Sequence, residues 1–210
     1  MQQGEENYHK LLLPLGGKTV LSQVIAATLA SQARPIILIL GHQSEQIRAS
    51  LSLSHETTPH DIIIVENPTH AQGMSTSLRK GIEILMEQDK QIQCSTTQCD
   101  GALVLLGDQP LVTPTLLNQI IDMKYATGKR IIAPFYNGKR GNPVLFAADL
   151  FPELLTITGD EGARSVIKKH RAEMGRLDVD DARLWYDVDT WEGYQEVLRI
   201  WKQKESSNSP

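Results

Sequence analysis

Two aspartates next to apolar runs carry the most informative chemistry in this sequence. Asp108 directly follows the apolar run Ala102–Leu106, inside the segment Gly107-Asp108-Gln109-Pro110. Asp189 lies near the C-terminus in Asp187-Val188-Asp189-Thr190. Proteins commonly hold Mg²⁺ with one or two carboxylates together with substrate phosphates. Asp108 and Asp189 are therefore candidate ligands of one Mg²⁺ ion, although a turn aspartate and a helix-start aspartate account for the same residues structurally.

A segment of small residues offers a candidate nucleotide contact. Gly73-Met74-Ser75-Thr76-Ser77 opens a helical pattern after the apolar run Ile62–Val65 and the Asn67-Pro68 turn. Free N–H groups at a helix start can bind the polar atoms of a nucleotide. Serine and threonine also cap many helices, so this signal is weak by itself.

Several other chemistries lack their signatures. Gly16-Gly17-Lys18-Thr19 fails as a phosphate-binding loop because Leu12 stands where the first glycine is required, and we interpret it as a turn before a helix. No Gly-x-Gly-x-x-Gly or Gly-x-Ser-x-Gly occurs, which disfavours a dinucleotide dehydrogenase and a serine esterase. The six histidines are scattered without helical ligand spacing, which disfavours a zinc hydrolase: His9, His42, His55, His60, His70 and His170.

The elements that must position these residues alternate between strands and helices. Short apolar runs predict buried strands, and longer amphipathic runs predict helices. The Asn137-Gly138 pair predicts an antiparallel hairpin between the last two strands. This alternation predicts an α/β fold, a three-layer α/β/α sandwich around a mostly parallel sheet. Ligands in such a sheet bind beyond the carboxyl ends of the strands, where Asp108 is expected. The predicted strands are 35–40, 62–65, 102–106, 130–134 and 143–146, and the predicted helices are 19–33, 74–86, a helix starting at 113, and 190–202.

Composition limits the partners and the compartment. The 210 residues carry a net charge of -4, which disfavours a nucleic-acid partner. No apolar run approaches the roughly 20 residues of a membrane span, and no leader sequence is visible, so we expect a cytoplasmic protein. Residues 1–202 are expected to form one domain and residues 203–210 a disordered tail. Cys94 and Cys99 are interpreted as free thiols on an exposed loop.

Six motifs in order resemble one enzyme family. The sequence is similar to nucleotidyltransferases of the molybdenum cofactor cytidylyltransferase type from Lys10 to about Leu198. Each motif alone is modest, whereas six in the same order are specific. They are Lys10-Leu11-Leu12-Leu13-Pro14-Leu15-Gly16-Gly17-Lys18, Asn67-Pro68 with Gly73-Met74-Ser75-Thr76-Ser77-Leu78, Gly107-Asp108-Gln109-Pro110-Leu111-Val112, Arg140-Gly141-Asn142-Pro143-Val144, Gly159-Asp160-Glu161-Gly162-Ala163-Arg164 and Asp187-Val188-Asp189-Thr190.

The resemblance implies a fold, a reaction and a set of site residues. The fold would be the Rossmann-like nucleotide-diphospho-sugar transferase type, and the reaction would move CMP from CTP to molybdopterin with release of pyrophosphate. Asp108 and Asp189 would hold Mg²⁺, and Lys10 would stabilise charge on the nucleotide phosphates, which makes Lys10 and Asp108 the catalytic residues. The nucleotide would also contact Gly73, Ser75 and Ser77, and the acceptor would contact Arg140, Asn142 and Arg164.

The sequence departs from this family at its start. The family opens with an apolar strand and a glycine-rich loop of the form Leu-Ala-Ala-Gly-x-Ser-x-Arg-Met-Gly, and Met1 falls where that motif has its methionine. That strand would be central, so its loss should leave unpaired edges on its neighbours. We therefore expect an N-terminally truncated domain whose activity is reduced.

Two alternatives to this function stay open. The same fold could use GTP or a sugar-phosphate acceptor. A chain without the loop could instead be a non-catalytic remnant that binds a molybdoenzyme or a protein that matures one. Retention of both aspartates favours an enzyme, and the departure at the start favours the remnant.

Overall fold

The structure is a computed structural model that describes residues 9–53, 62–91 and 99–208. Cys94 therefore lies outside the described residues, whereas Cys99 is within them, with its Sγ 3.4 Å from the Gly101 carbonyl oxygen. None of the described helices is long and apolar enough to cross a bilayer.

The strands are β1 Pro14–Leu15, β2 Lys18–Thr19, β3 Ile36–Leu40, β4 Ile62–Glu66, β5 Gly101–Val104, β6 Ile131–Tyr136, β7 Lys139–Arg140, β8 Val144–Ala147 and β9 Met174–Asp178. The helices are α1 Val20–Leu29, α2 Ser44–Leu53, α3 Met74–Gln91, α4 Pro114–Thr127, α5 Phe151–Leu154, α6 Arg164–Lys169 and α7 Trp191–Asn208.

Most of the longer strands run in one direction. β3 pairs parallel with β4, and β6 pairs parallel with β9. β8 is antiparallel to both β5 and β6, so β5 and β6 share a direction. His42, which follows β3, stacks on His9. Asp108, which follows β5, contacts Lys10, the next residue in the chain after His9. The carboxyl ends of β3 and β5 therefore lie at the same edge of the sheet. The predicted mostly parallel α/β sheet is confirmed.

Helices α1 and α3 cover opposite faces of β3 and β5. On one face, α1 packs against Leu38 and Leu40 of β3 and against Leu103 of β5. On the other face, α3 packs against Ile37 of β3 and against Ala102 and Val104 of β5. Because successive strand side chains point to opposite faces, this alternation places β3 and β5 in a single layer between two helices. The predicted three-layer sandwich is therefore confirmed.

β3 and β5 nevertheless share no backbone hydrogen bonds. Among the described strands, β3 pairs only with β4, and β5 pairs only with β8, so the layer consists of two separate sheets. Every residue of β5 is only half-buried, whereas Ile131–Pro134 of β6 and Val144–Phe146 of β8 are buried. We call the space between the two unpaired edges the β3–β5 gap. The unpaired edges expected from the sequence are present.

The structure contains the helix N-caps and the hairpin turn that the sequence predicts. Thr19 caps α1 by accepting a hydrogen bond from Ser22 N at 3.2 Å, and Thr113 caps α4 in the same way through Leu116 N at 3.2 Å. Asn137 and Gly138 both have positive φ, as a tight hairpin turn requires. That turn leads first into the short strand β7, and the strand predicted over 143–146 follows as β8, also antiparallel to β6.

Two predictions at element ends were wrong. The last helix was predicted to end at Lys202 and the tail from 203 to be disordered, but α7 continues through Asn208, and only residues 209–210 lie outside the description. The helix predicted over 74–86 continues to Gln91 as α3. Both extensions are polar, and helical backbone hydrogen bonds continue there without an apolar face to reveal them.

A charged network ties α5 to the segment between α6 and β9. The His170 side chain is 8% exposed, and its two ring nitrogens contact Glu153 Oε1 at 2.9 Å and Glu173 Oε1 at 3.0 Å. Arg130 joins the network through Glu173 Oε2 at 3.0 Å. The hydrogen bond to Glu173, assisted by Glu153, raises the pKa of His170 above its ordinary value of 6.5. Hydrogen bonds to two carboxylates favour the charged form of His170, in which both ring nitrogens donate.

This network predicts a pH window for stability. A raised His170 pKa contributes stability that is complete below pH 6.5 and is lost as pH rises through the raised pKa. Hydrogen bonds lower the pKa of Glu153 and Glu173 below 4.5, and their contribution is lost as pH falls through those values. The free energy of unfolding lost in His170→Gln should therefore be largest between pH 4.5 and 6.5, as measured by urea denaturation. An equal or larger loss at pH 9 would contradict this assignment.

Candidate active site

Asp108 reaches the carboxyl edge of the sheet through a short turn after β5. Its side chain is 17% exposed, and its backbone carbonyl accepts a hydrogen bond from Val188 N at 3.0 Å. Gly107 precedes it where a Cβ would lie 3.3 Å from Leu21 of α1. The backbone contact with Val188 joins the turn after β5 to the segment that leads into α7, so it also brings Asp189 to this edge.

Lys10 links the two aspartates. Its ammonium lies 2.6 Å from Asp108 Oδ2 and 2.5 Å from Asp189 Oδ1. Burial alone would lower the pKa of Lys10, but the hydrogen bonds to Asp108 and Asp189 outweigh burial and raise it. The same hydrogen bond holds the pKa of Asp189 below its usual value. The two carboxylates singled out in the sequence thus face one cation, as a shared ligand site requires.

Asp187 is a third carboxyl group near the ion pairs that Lys10 forms with Asp108 and Asp189. Burial raises the pKa of Asp187, and the negative charges of Asp189 and Asp108 raise it further. Two aspartates thus contact the ammonium of Lys10, and a third, Asp187, interacts with them electrostatically. Like charges at such separations repel one another in a partly buried site. The site accordingly favours additional positive charge.

The donor set fits a divalent cation completed by phosphates. Asp108 Oδ1 is buried and has no hydrogen-bond partner among the described residues, and an unpartnered carboxylate oxygen is a strong ligand for Mg²⁺ or Mn²⁺. No group of three or more His, Cys, Asp or Glu side chains in the described part of the chain is arranged to hold a metal ion. Asp108 and Asp189 could therefore hold such an ion only together with oxygens from water or substrate.

The start of α3 is held tightly beside a second loop. Asn67, which is 2% exposed, donates from Nδ2 to Thr76 Oγ1 and to Ser77 Oγ, each at 2.9 Å. Ser75 is completely buried, and its Oγ has no hydrogen-bond partner among the described residues. Ser75 Oγ is thus unsatisfied among the described residues, whereas Ser77 Oγ accepts a hydrogen bond from Asn67 and supports the turn.

Asp160 also contacts the start of α3, a contact that was not predicted from the sequence. Its Oδ1 accepts a hydrogen bond from Met74 N at 3.2 Å. Gly73 makes the close approach possible, because a Cβ there would lie 2.6 Å from the Gly159 backbone. The positive φ of Gly73, +112°, further restricts this position to glycine. The glycines on both sides of Asp160-Glu161 were the available signal for a loop that packs closely.

Three histidines that are scattered in the sequence form a row at the same edge. The ring centroids of His9 and His42 lie 6.4 Å apart, and those of His42 and His70 lie 6.2 Å apart. Burial lowers the pKa of His9, and the charge of Lys10 contributes to the shift. His42 and His70 each follow a parallel strand, so the topology rather than the sequence spacing brings them together.

The residues expected on the acceptor side lie on two other elements. Arg140 ends β7, Asn142 follows two residues later, and Arg164 begins α6. Arg140 and Arg164 are close enough to interact electrostatically, whereas the role of Asn142 stays a prediction. The loop that carries Arg164 is the one whose Asp160 binds the start of α3.

Comparison with protein-family models shows the family to which this chain belongs. The profile of the MobA-like NTP transferase domain matches residues 2–174. This chain belongs to that family. The structure is also similar to a nucleotidyl transferase from Methanothermobacter thermautotroptrophicus, with a TM-score of 0.74, 21% identity and coverage of 94% of this chain and 87% of that one. This likeness supports the nucleotide-diphospho-sugar transferase type of fold.

The relatives of this MobA-like chain have diverse names. It is 27% identical to the purine catabolism protein PucB of Bacillus subtilis, over 91% of this chain and 88% of PucB. It is 25% identical to nicotine blue oxidoreductase of Paenarthrobacter nicotinovorans, over 90% and 87% of the two chains. It is 22% identical to the molybdenum cofactor cytidylyltransferase of Escherichia coli, over 86% and 82%. The predicted family is confirmed, while the specific substrate is not fixed by these relatives.

One similar structure contains a metal. Rv0371c from Mycobacterium tuberculosis, crystallised as a complex with manganese, is 29% identical with a TM-score of 0.69, over 90% of this chain and 91% of that one. Divalent metals are thus compatible with this fold.

The ion pairs of Lys10 predict how variants change metal binding without nucleotide. Asp108→Asn removes a ligand charge, so it should weaken Mn²⁺ binding at least about tenfold, as measured by electron paramagnetic resonance. Lys10→Gln removes the competing ammonium and should tighten Mn²⁺ binding. Asp178→Asn is the matched control, because Asp178 pairs with Arg176 on the surface. Equal Mn²⁺ affinity in the wild type and in Asp108→Asn would exclude Asp108 as a ligand.

Proposed function

We propose that this chain is a cytoplasmic nucleotidyltransferase that moves CMP from CTP to a molybdopterin-type acceptor and releases pyrophosphate. The family membership supports nucleotidyl transfer. The observation that carries the proposal is the ammonium of Lys10 between Asp108 and Asp189, with Asp108 Oδ1 left without a partner. The choice of CTP and molybdopterin rests on the six sequence motifs and on the similarity to the cytidylyltransferase of Escherichia coli.

The reaction joins two anions, so it needs positive charge more than a covalent intermediate. A phosphate oxygen of the acceptor attacks the α-phosphorus of CTP, and the bond from that phosphorus to the oxygen bridging the β-phosphorus breaks. Pyrophosphate leaves with the electron pair. Mg²⁺ held by Asp108 and Asp189 would supply charge neutralisation at the phosphates.

Lys10 has a second role in this proposal. When a metal and a triphosphate bring their own charges, the ammonium exchanges its carboxylate partners for phosphate oxygens. A lysine suits this exchange because its ammonium is a compact charge on a flexible stem. Gly73 and Ser75 contact the nucleotide at the start of α3, with Ser77 held in place by Asn67. Arg140, Asn142 and Arg164 serve the acceptor.

Two other functions remain as alternatives in the same test. The fold could use GTP or a sugar phosphate, and the varied names of the relatives keep this open. In the second alternative, the chain is not an enzyme but binds a molybdoenzyme or its maturation protein, so it would have the same fold without turnover of a nucleotide. No nucleic-acid partner is proposed, because the chain is acidic.

An additional strand in the β3–β5 gap is part of the proposal. It would extend the single domain expected over residues 1–202. Its support is the pair of unpaired edges in one layer, covered on both faces by α1 and α3. Only a β-strand can satisfy the backbone groups of two strand edges at once. A loop leaving the carboxyl end of that strand would meet Lys10 and could supply N–H donors for phosphates.

Without the proposed strand and its loop, the chain should be a poor catalyst. We expect a chain extended at its N-terminus by an apolar run and a Gly-x-Ser-x-Arg-like loop to fill the β3–β5 gap. The extended chain should turn over CTP at least about a thousandfold faster, because several phosphate donors are each worth a few kcal/mol. Its melting temperature should also rise by several degrees, since each kcal/mol shifts it by about 2–4 °C at this size. Equal turnover by the 210-residue chain would contradict this part of the proposal.

The function itself is tested by pyrophosphate release from the extended chain. With molybdopterin and Mg²⁺, CTP should give a higher kcat/KM than GTP. Asp108→Asn should reduce turnover at least about a hundredfold while melting changes little, since it removes charge stabilisation rather than packing. Asp178→Asn should match the wild type. Preference for GTP would favour the first alternative, and nucleotide binding without turnover would favour the remnant.

A further inference from the structure

A cavity of about 270 Å³ lies between α3 and the turn that follows β4, and we call it the α3 cavity. One of its walls is a single face of the helix. Thr76, Arg79, Lys80 and Glu83 line that wall, and their spacing of three, four and seven residues places them on one side of α3. Lys10 and its two aspartate partners do not line the α3 cavity, so it is separate from the candidate active site.

Arg79 is a charged residue of this cavity that lacks a partner. It is half-buried, and its Nε is buried without a hydrogen-bond partner among the described residues. Glu83 lies one turn further along the same helix, yet its ion pair is with Lys80, at 3.8 Å. No carboxylate in the described part of the chain lies within ion-pair distance of the Arg79 guanidinium. A partly desolvated guanidinium without an acceptor is unfavourable, so an anion in the cavity would stabilise it.

The buried polar side chains that share the cavity with Arg79 already have partners. Asn67 Nδ2 donates to Thr76 Oγ1 at 2.9 Å, and Asn67 Oδ1 accepts hydrogen bonds from Thr69 N at 3.1 Å and from Thr69 Oγ1 at 2.9 Å. Thr76 Oγ1 in turn donates to the Gly73 carbonyl oxygen at 2.8 Å. These bonds hold the turn after β4 against α3. The unsatisfied group is then a donor, so the ligand that complements it must bring acceptors.

The charges that line the α3 cavity favour a phosphate group over a neutral ligand. Two cations, Arg79 and Lys80, line it together with one carboxylate, that of Glu83. A guanidinium donates to phosphate oxygens through several N–H groups in a fixed plane, and an ammonium adds a compact charge. The volume is slightly below the roughly 300–1,000 Å³ of sites for drug-sized ligands, so a small phosphate compound suits it better than a nucleoside triphosphate.

We propose that the α3 cavity binds the phosphate group of a small ligand, with Arg79 as its main contact and Lys80 as the second cation. This site goes beyond the proposed function, and no step of nucleotidyl transfer depends on it. Asn67 lines the cavity and also donates to Thr76 and Ser77 at the start of α3. A phosphate bound beside Asn67 therefore stabilises the start of this helix as well.

Inorganic phosphate is the first probe, measured by isothermal titration calorimetry on the 210-residue chain. The wild type should bind it with a Kd of about 1 mM or tighter. Arg79→Gln should weaken binding at least about tenfold, because it removes a charge-assisted contact. Arg199→Gln is the matched control and should bind as the wild type does, since Arg199 also lies on a helix but pairs with Glu196 at 2.6 Å. Equal affinity of Arg79→Gln and the wild type, or no binding by the wild type, would overturn the proposal.

Glu83→Gln should change phosphate binding in the opposite direction. It removes the carboxylate that lines the cavity and frees Lys80 from its ion pair, so phosphate should bind about two- to fivefold more tightly. Glu87→Gln is the matched control, because Glu87 lies one turn further along α3 and does not line the cavity. Weaker or unchanged binding by Glu83→Gln would contradict the placement of the anion in this cavity.

Lys10→Gln separates the α3 cavity from the candidate active site, where an ammonium could also bind phosphate. Phosphate affinity should be the same in Lys10→Gln and in the wild type. Loss of binding in Lys10→Gln, with binding retained in Arg79→Gln, would assign the phosphate to the active site and overturn the proposal.

Three anions identify the chemical class of the ligand. Glycerol 3-phosphate that binds more tightly than inorganic phosphate would show that the cavity serves a phosphate ester, and the reverse order would show that it serves the free ion. Both orders support a phosphate site. Acetate should bind more weakly than either one, because it has a single charge and fewer acceptor atoms. Equal or tighter binding of acetate would overturn the phosphate assignment.

Thermal unfolding separates a ligand-binding arginine from a structural one. Because Arg79 has no partner among the described residues, Arg79→Gln should melt within about 2 °C of the wild type without phosphate, a shift worth less than about 1 kcal/mol at this size. Phosphate should then raise the melting temperature of the wild type but not of Arg79→Gln, since a ligand stabilises only the chain that binds it. A markedly lower melting temperature of Arg79→Gln without phosphate would show that Arg79 supports the fold and would overturn its role as the main contact.

Discussion

The contact of Lys10 with Asp108 and Asp189 holds the functional edge of this protein together. Its partners are 98 and 179 residues away in sequence, so it joins the first described segment to the end of β5 and to the start of α7. Such a pair at a partly exposed surface contributes little to stability. Its importance is electrostatic, because the ammonium of Lys10 balances two carboxylates that would otherwise repel each other.

The parallel arrangement of the strands explains why the site could be predicted in part. Strands that run together end at one edge, so polar residues after apolar runs meet there whatever their distance in sequence. Asp108 was selected in this way, Asp189 was selected from its place in Asp187-Val188-Asp189 before a helix, and the family resemblance supplied Lys10. The histidine row follows the same rule, yet spacing along the chain was the wrong criterion for it. His42 and His70 needed the β3–β4 pairing before their proximity could be recognised.

The fold elements show the same division between local and tertiary information. Continuous apolar strands, threonine caps and the Asn-Gly turn act locally, and they located most of the parallel sheet. α2 was not predicted because its composition is polar, and among residues 44–51, whose burial the structure describes, only Ser44, Ile47 and Leu51 are buried. Asp160 could not be predicted as a partner of α3, since that contact depends on how the loop after α5 packs. Wherever tertiary packing selects the partner, one sequence without its relatives lacks the information.

The candidate site and the β3–β5 gap both depend on the same arrangement of strands, whose carboxyl ends lie at one edge of the sheet. A sheet whose strands all deliver their loops to one edge builds its binding surface from those loops, and each absent strand removes both a packing partner and a loop. β3 and β5 keep apolar side chains toward α1 and α3, which is the pattern of interior strands rather than of edges. Among the described residues, β3 and β5 each lack a pairing partner on one side, and such an unpaired edge is a liability for an interior strand. A strand proposed for the β3–β5 gap would supply both the pairing of these edges and a loop at the Lys10 site, so stability and phosphate binding would depend on the same segment.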